Sequence, residues 1–189
     1  MIVAKNGNRK MADWILQKDA DRGYRLGDGV PGGEGLSVPA IIGKAGLVAG
    51  DAKCEGDMAT PVGRWALRHL YYRQDRVGTP RCALRKTAIS AICGWCDDPA
   101  SVAYNRYISL PFDASHETLW RQDASYDLVV MLGYNDAPPV AGRGRAIFLH
   151  CIAPGKTSTA GCVALARDDL LLFLSRAAPT QHIIIPDLP

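Results

Sequence analysis

The chain has 189 residues, 48% of them hydrophobic, and a formal net charge of +3, with a pI near 8.5. That length supports one good core and is short for two full domains. The basic excess is mild and scattered, with no basic run interleaved with aromatics, so nothing points to nucleic acid. No apolar stretch approaches the roughly 18 residues of a membrane span.

The opening Met1-Ile-Val-Ala-Lys-Asn-Gly-Asn-Arg-Lys10 has charge but no apolar h-region and no small-residue cleavage site, so no signal peptide is legible. A cytoplasmic protein, a leader outside this chain and an unreadable export signal all stay open. The Gly-rich Arg25-Leu-Gly-Asp-Gly-Val-Pro-Gly-Gly-Glu-Gly35 predicts turns and short strands. Short apolar or alternating segments follow, each closed by Gly, Pro, Asn or Asp: Ala40-Ile-Ile-Gly43, Gly63–Tyr72, Tyr126–Leu132, Ala146–His150 and Gln181–Ile185. Their spacing predicts a β-rich domain. Two segments predict helices. Ser115–Ala124 offers a serine N-cap with early acids, and Arg167–Ala177 places Leu170, Phe173, Leu174 and Ala177 on one face. Asp168 and Asp169 lie in the first turn of the latter, where the helix dipole favours negative charge, and Pro179 ends it. With no repeat, low-complexity tract or linker, residues 1–189 are expected to form a single domain, with 1–24 an extension or a first strand.

Six cysteines occur, Cys54, Cys82, Cys93, Cys96, Cys151 and Cys162. Their positions do not look like a disulfide framework, and a chain of this size does not need one. Cys93-Gly-Trp-Cys96 is a C-x-x-C, readable as a redox pair or half a zinc site. With His150 and Cys162 it could complete a four-ligand metal site, a rival to the chemistry argued next.

The densest signal is Ala146-Ile-Phe-Leu-His-Cys-Ile-Ala-Pro-Gly-Lys-Thr-Ser-Thr-Ala-Gly-Cys162. An apolar run delivers a histidine, a Gly/Pro/Ser/Thr loop follows, and a cysteine comes directly after glycine. That order suits a thiol nucleophile and its base, because an adjacent imidazolium lowers a thiol's pKa from about 8.5. Gly161 permits a sharp turn, and the N–H groups of Gly161 and Cys162 are placed to bind an oxyanion. The competing reading is a buried thiol beside a satisfied core histidine. Cys151, next to His150, would point to the opposite face of a strand and is read as a core thiol. His69, His116 and His182 are read as structural or exposed. Asp51, Glu55 and Asp57 could order the loop beside the site or belong to a solvated turn.

Thr159-Ala-Gly-Cys162 after a histidine resembles the signature of the L,D-transpeptidase (YkuD-like) catalytic domains. Glu55-Gly-Asp-Met-Ala-Thr-Pro-Val-Gly-Arg-Trp65 is similar to that family's Thr-Pro-x-Gly-aromatic segment. Trp95–Pro99, Tyr104-Asn-Arg106, Leu119-Trp-Arg121 and Gly133-Tyr-Asn-Asp136 resemble a short-motif proteobacterial branch of it. The resemblance covers roughly residues 25–189. It implies a mainly β (α+β) fold, a YkuD-like β-sandwich or sheet core with a few short helices, and no cofactor or metal. The implied partners are the donor and acceptor peptide stems of peptidoglycan. Cys162 attacks a carbonyl at an L-to-D junction, a thioester forms, and the amine of a second stem resolves it into a crosslink. Resolution by water gives a carboxypeptidase instead, and a non-catalytic wall-binding module is a further alternative. The resemblance carries over His150 as base, Gly161 as an oxyanion donor and Thr159 as shaper of the turn. A carbapenem-type β-lactam is the implied inhibitor and the periplasm the implied location, with a cytoplasmic role on precursors as the alternative.

Three departures stand out: a short loop between His150 and Thr159, Ala160 where relatives often have histidine, and Ala164 where they commonly have arginine. A cation for a substrate carboxylate must then come from elsewhere, with Arg64, Arg143 and Arg145 as candidates. Tyr134, Asn135 and Asp136 sit in a turn before the His150 strand and could line the cleft or support His150. Trp65, Trp95 and Tyr134 are expected to form an aromatic approach that excludes water, or else to lie in the core.

Overall fold

A computed structural model describes residues 12–29 and 35–187. The expectations that fall on residues 1–11 and 30–34 lie outside the described residues. The chain opens with β1 (Trp14–Asp19) and β2 (Gly23–Asp28), an antiparallel hairpin, then β3 (Ser37–Ile41). Two short parallel strands, β4 (Leu47–Val48) and β5 (Thr60–Pro61), lead into the long β6 (Gly63–Tyr72). A single helical turn, α1 (Gln74–Val77), and the short β7 (Lys86–Ala88) follow. The next segment forms its own three-stranded sheet from β8 (Cys93–Cys96), β9 (Tyr107–Ser109) and β10 (His116–Thr118), with β8 in the middle. A 3-10 turn at Ala124–Tyr126 precedes β11 (Leu128–Leu132) and β12 (Phe148–Cys151). The chain closes with β13 (Val163–Leu165), α2 (Arg167–Arg176) and β14 (His182–Ile185).

The pairings of the main sheet run β11-β12-β13-β3-β2-β1-β14-β6, and β6 also pairs with β11. The strands therefore close into a ring, which leaves no free edge along that circuit. One face of the ring strands supplies the larger apolar cluster, including Trp14, Leu16, Leu26, Leu70, Val130, Leu149, Cys151, Val163 and Leu165. α2 adds Leu170, Phe173 and Leu174, on the face that the helical spacing predicts, and Phe173 packs on Trp14 with ring centroids 4.4 Å apart.

Alternation along β12 decides where the site can be. Leu149 and Cys151 belong to the larger cluster, so Phe148 and His150 point to the opposite face. There a second cluster forms from Val129, Met131, Phe148, Trp95, Cys93, Leu119 and Tyr126, with Cys162 packed against it. The β8–β10 sheet and the 3-10 turn supply Trp95, Cys93, Leu119 and Tyr126, so this small layer covers the outer face of β11 and β12.

The helix predicted over Ser115–Ala124 does not form. His116–Thr118 instead pairs antiparallel with Cys96–Gly94 of β8, and Leu119 is fully buried. A partner strand satisfies the backbone there, and Asp123 rather than Ser115 caps a turn, accepting from Ser125 N–H at 2.9 Å. The mainly β character is as the spacing predicts.

Phe173→Ala removes a fully buried ring from the larger cluster. It is expected to cost about 3–5 kcal/mol, read as a lowered urea midpoint with an unchanged slope.

Candidate active site

β12 and β13 are parallel neighbours, with Leu149 opposite Val163 and His150 opposite Ala164. Residue 162 therefore enters beside Phe148, whose N–H reaches its sulfur, and His150 follows Phe148 on the same face of β12. Cys162 and His150 line one cavity of about 460 Å³. Cys162 also lines a second cavity of about 520 Å³. Glu117, Tyr126, Met58 and Ala160 are shared by the two cavities.

The turn before the thiol is built by Thr159. Its hydroxyl donates to the Cys162 carbonyl at 2.7 Å and accepts from Gly161 N–H at 3.1 Å. Thr159 N–H donates to the Ile42 carbonyl at 2.8 Å, which ties the turn to the end of β3. Gly161 has φ +138, and a Cβ there would stand 2.9 Å from the Ala59 carbonyl oxygen. Only glycine fits that backbone without strain. Thr60, fully buried, accepts from Gly43 N–H at 2.9 Å and donates toward the Cys162 carbonyl at 3.4 Å. The Thr-Pro-x-Gly segment is thus a floor beneath the cysteine.

The thiol itself donates to the Ala146 carbonyl at 3.1 Å, and its sulfur accepts from Phe148 N–H at 3.4 Å. Ala146 has φ +51, a left-handed backbone that alanine rarely adopts. Asn105 holds it there. The buried Asn105 side chain accepts from Ala146 N–H at 2.9 Å and from Trp95 Nε1 at 3.0 Å, and donates to the Asn135 carbonyl at 2.6 Å.

His150 Nδ1 lies 2.8 Å from the Cys151 carbonyl. A carbonyl can only accept, so Nδ1 carries the proton and Nε2 of the neutral ring keeps its lone pair. The Tyr126 ring packs edge-on to His150 with centroids 5.5 Å apart, and its hydroxyl donates to Glu117 at 2.7 Å. Burial lowers the pKa of His150 below its ordinary value. Cys162 keeps partial exposure as a residue, yet desolvation pushes its thiol up to about 12. The sequence reading expected an imidazolium to lower that thiol. In the resting site burial dominates both groups, favouring a protonated thiol and a neutral imidazole.

The remaining sequence candidates separate. Arg145 lines the second cavity, held between Glu55 and Asp97. Asp97 Oδ1 is buried without a hydrogen-bond partner. Tyr134 and Asn135 line neither cavity that holds Cys162. Tyr134 is buried, packs on Trp65 at 5.0 Å and donates to the Arg143 carbonyl. Asn135 organises its own loop, donating to the Val140 and Gly144 carbonyls at 3.0 and 2.8 Å. Trp65 and Trp95 likewise line neither cavity, and Trp95 is core. Asp57 does order the loop beside the site, accepting from Cys54 N–H, Ala59 N–H and Lys53. Cys93 is bound to Tyr107 and Ser90 at 3.2 and 3.3 Å, and no trio of His, Cys, Asp or Glu converges at metal spacing among the described residues.

Sequence reasoning missed Asn105, Tyr126 and Glu117 at the site. Asn105 lay in a segment already flagged for its resemblance. Tyr126 and Glu117 carried no signal, because their approach to His150 depends on the fold of the β8–β10 layer.

Two outcomes are expected. Alkylation of Cys162 by iodoacetamide, followed by peptide mapping, should rise about tenfold per pH unit from neutral into alkaline pH, since the thiolate is the nucleophile. A plateau near neutrality would instead reveal a resting ion pair. Gly161→Ala should lose about 1–3 kcal/mol from backbone strain, seen as a lower melting temperature.

No curated protein matches the chain. The description L,D-transpeptidase catalytic domain (YkuD) matches residues 19–185, the span that carries every ring strand after β1, the β8–β10 layer and the Cys162–His150 cavity. The chain belongs to the L,D-transpeptidase catalytic domain (YkuD) family.

Proposed function

We propose that the chain is a peptidoglycan L,D-transpeptidase that works through a Cys162 thioester, with His150 as base and residues 1–189 forming one catalytic domain. The observation that carries this reading is the fixed tautomer of His150 in the cavity it shares with Cys162. With Nδ1 committed to the Cys151 carbonyl, Nε2 is the ring nitrogen that keeps the lone pair.

In the proposed reaction the Sγ proton leaves the Ala146 carbonyl and passes to His150 Nε2 as sulfur attacks the carbonyl carbon of an L-to-D bond. A donor peptide in the cavity supplies the desolvated setting in which this neutral pair can exchange a proton. The oxyanion forms beside the N–H groups of Cys162 and Gly161. Gly161 N–H must first exchange its bond to the Thr159 hydroxyl, so Thr159 sets the depth of that hole. His150 then returns the proton to the departing amine of the D-residue, leaving a thioester. The amine of a second stem attacks the thioester carbon, the C–S bond breaks, and sulfur regains a proton through His150.

Hydrolysis of the same thioester is the second reading. It is favoured by one observation: Trp65, Trp95 and Tyr134, which were expected to screen the approach from water, line neither cavity that holds Cys162. Residues 154–157 of the cavity's loop are exposed. Crosslinking requires assembled wall, so the proposed transpeptidase would work in the periplasm, whereas trimming of precursors would allow a cytoplasmic site. No helix among the described residues is long and apolar enough to cross a membrane.

Incubation with isolated muropeptides, resolved by mass, should yield dimers that have lost a D-terminal fragment. Shortened monomers alone would make the chain a carboxypeptidase. Cys162→Ala should abolish turnover, and the single adduct expected from a carbapenem should be missing from its intact mass. Because burial depresses His150, the acid limb of kcat/KM should fall below pH 6.5, and His150→Gln should remove activity at every pH tested.

A further inference from the structure

The three arginines offered by the sequence as carboxylate partners are already engaged. Arg64 pairs with Asp13 at 2.9 Å, Arg143 donates to the Asp51 carbonyl at 2.9 Å, and Arg145 lies between Glu55 and Asp97. None of them lines the cavity that holds both Cys162 and His150. The cations that do are Lys44, Arg121 and Lys156, set against a single acid, Glu117. Arg121 is bonded to Asp123 at 2.7 Å and to Glu117 at 3.5 Å. Lys44 and Lys156 are exposed, and neither ammonium has a hydrogen-bond or ion-pair partner among the described residues. Their backbones are nevertheless anchored to the site. Lys44 N–H donates to the Thr159 carbonyl at 3.0 Å, next to the bridge between Gly43 and Thr159. Lys156 N–H donates to the Ala153 carbonyl at 3.1 Å, in the turn that follows the His150 strand. One lysine is thus tied to the turn before the thiol, and the other to the turn after the base.

We propose that Lys44 and Lys156 form the subsite for the α-carboxylate borne by the D-residue next to the scissile nitrogen. This deepens the thioester reading above and rests on it. The chemistry is common to both L-to-D bonds of a stem. A terminal D-residue bears its free carboxylate on the carbon attached to the departing nitrogen. A D-glutamate linked through its γ-carbonyl also keeps its α-carboxylate on that carbon. An ordinary internal α-linked residue has an amide there and brings no charge to the lysines. Recognition of this one charge would make a wide, lysine-rimmed cavity selective for the correct class of bond. The two lysines come from separate segments, the end of β3 and the 152–162 connector, which converge on the same cavity.

The test uses the full chain and a synthetic stem, L-Ala-γ-D-Glu-meso-diaminopimelate-D-Ala, in three forms: unmodified, amidated at the D-Ala carboxylate, and amidated at the D-Glu α-carboxylate. Rates are followed by product mass, with Lys44→Ala, Lys156→Ala and Lys44→Arg beside the wild type. Amidating the carboxylate next to the bond that is cut should raise KM about five- to tenfold. Which amide does so identifies that bond. Each alanine variant should raise KM for the unmodified stem by a similar factor, leave kcat little changed, and add little to the KM of the sensitive amide. Lys44→Arg should restore the wild-type KM. Lysine variants that leave KM unchanged, or that raise it equally for acid and amide, overturn the subsite while a Cys162 acyl-enzyme still forms. Absence of any acyl-enzyme in the wild type overturns the thioester reading and the subsite together.

Discussion

The hydrogen bond from the Cys162 thiol to the Ala146 carbonyl is available only because Ala146 is held in a left-handed backbone, and Asn105 is what holds it. Alanine gains nothing by itself from that conformation, which costs about 1–3 kcal/mol where it occurs. The cost is met by a buried amide whose partners come from three segments: Trp95 on β8, the Asn135 turn and Ala146 ahead of β12. The β8–β10 layer, the loop leading to β12 and the nucleophile are thereby fixed to one another. If Asn105 were lost, Ala146 would relax toward an ordinary strand conformation and the thiol would lose its acceptor.

The electrostatics follow from the same enclosure. The apolar cluster of Phe148 and Tyr126 against which Cys162 packs disfavours charge there, so burial raises the Cys162 thiol and lowers the His150 imidazole. In the proposed reaction such a site stores Cys162 as a protonated thiol and releases it on proton transfer to His150. The arrangement differs from a resting thiolate–imidazolium pair, which needs either solvent or an additional charge to stabilise it. The acid that lines both cavities, Glu117, is itself pushed up by burial and is occupied by Tyr126 and Arg121.

The cleft also has an uneven distribution of charge around the sulfur. The cavity that includes His150 has Lys44, Lys156 and Arg121 against Glu117. The other has Glu55, Asp97 and Glu117 against Arg145 and Lys53, and Lys53 is already bonded to Asp57 at 2.5 Å. Two substrates of opposite local charge would therefore find different sides of Cys162.

The β-rich class, the strands at Gly63–Tyr72 and Phe148–Cys151, and α2 were legible in the sequence because each rests on a local period of apolar residues read against turn residues. Gly161 and the Cys162–His150 pair were legible for a related reason: glycine before a thiol, on a loop that follows a strand, constrains the local backbone. The Ser115–Ala124 segment was not, because its pattern tolerates a helix and only the pairing of His116–Thr118 with β8 decides against one. Nor could the sequence distinguish Tyr134 and Asn135, which line neither cavity at Cys162, from Lys44, Lys156 and Arg145, which do. All are polar or amphipathic residues in loops, and which of them reaches a cavity at Cys162 is set by the closure of the strand ring and the packing of the β8–β10 layer on it. Closure joins residues far apart in the chain, as in the pairing of β1 with β14 and of β6 with β11, and a local pattern does not encode it.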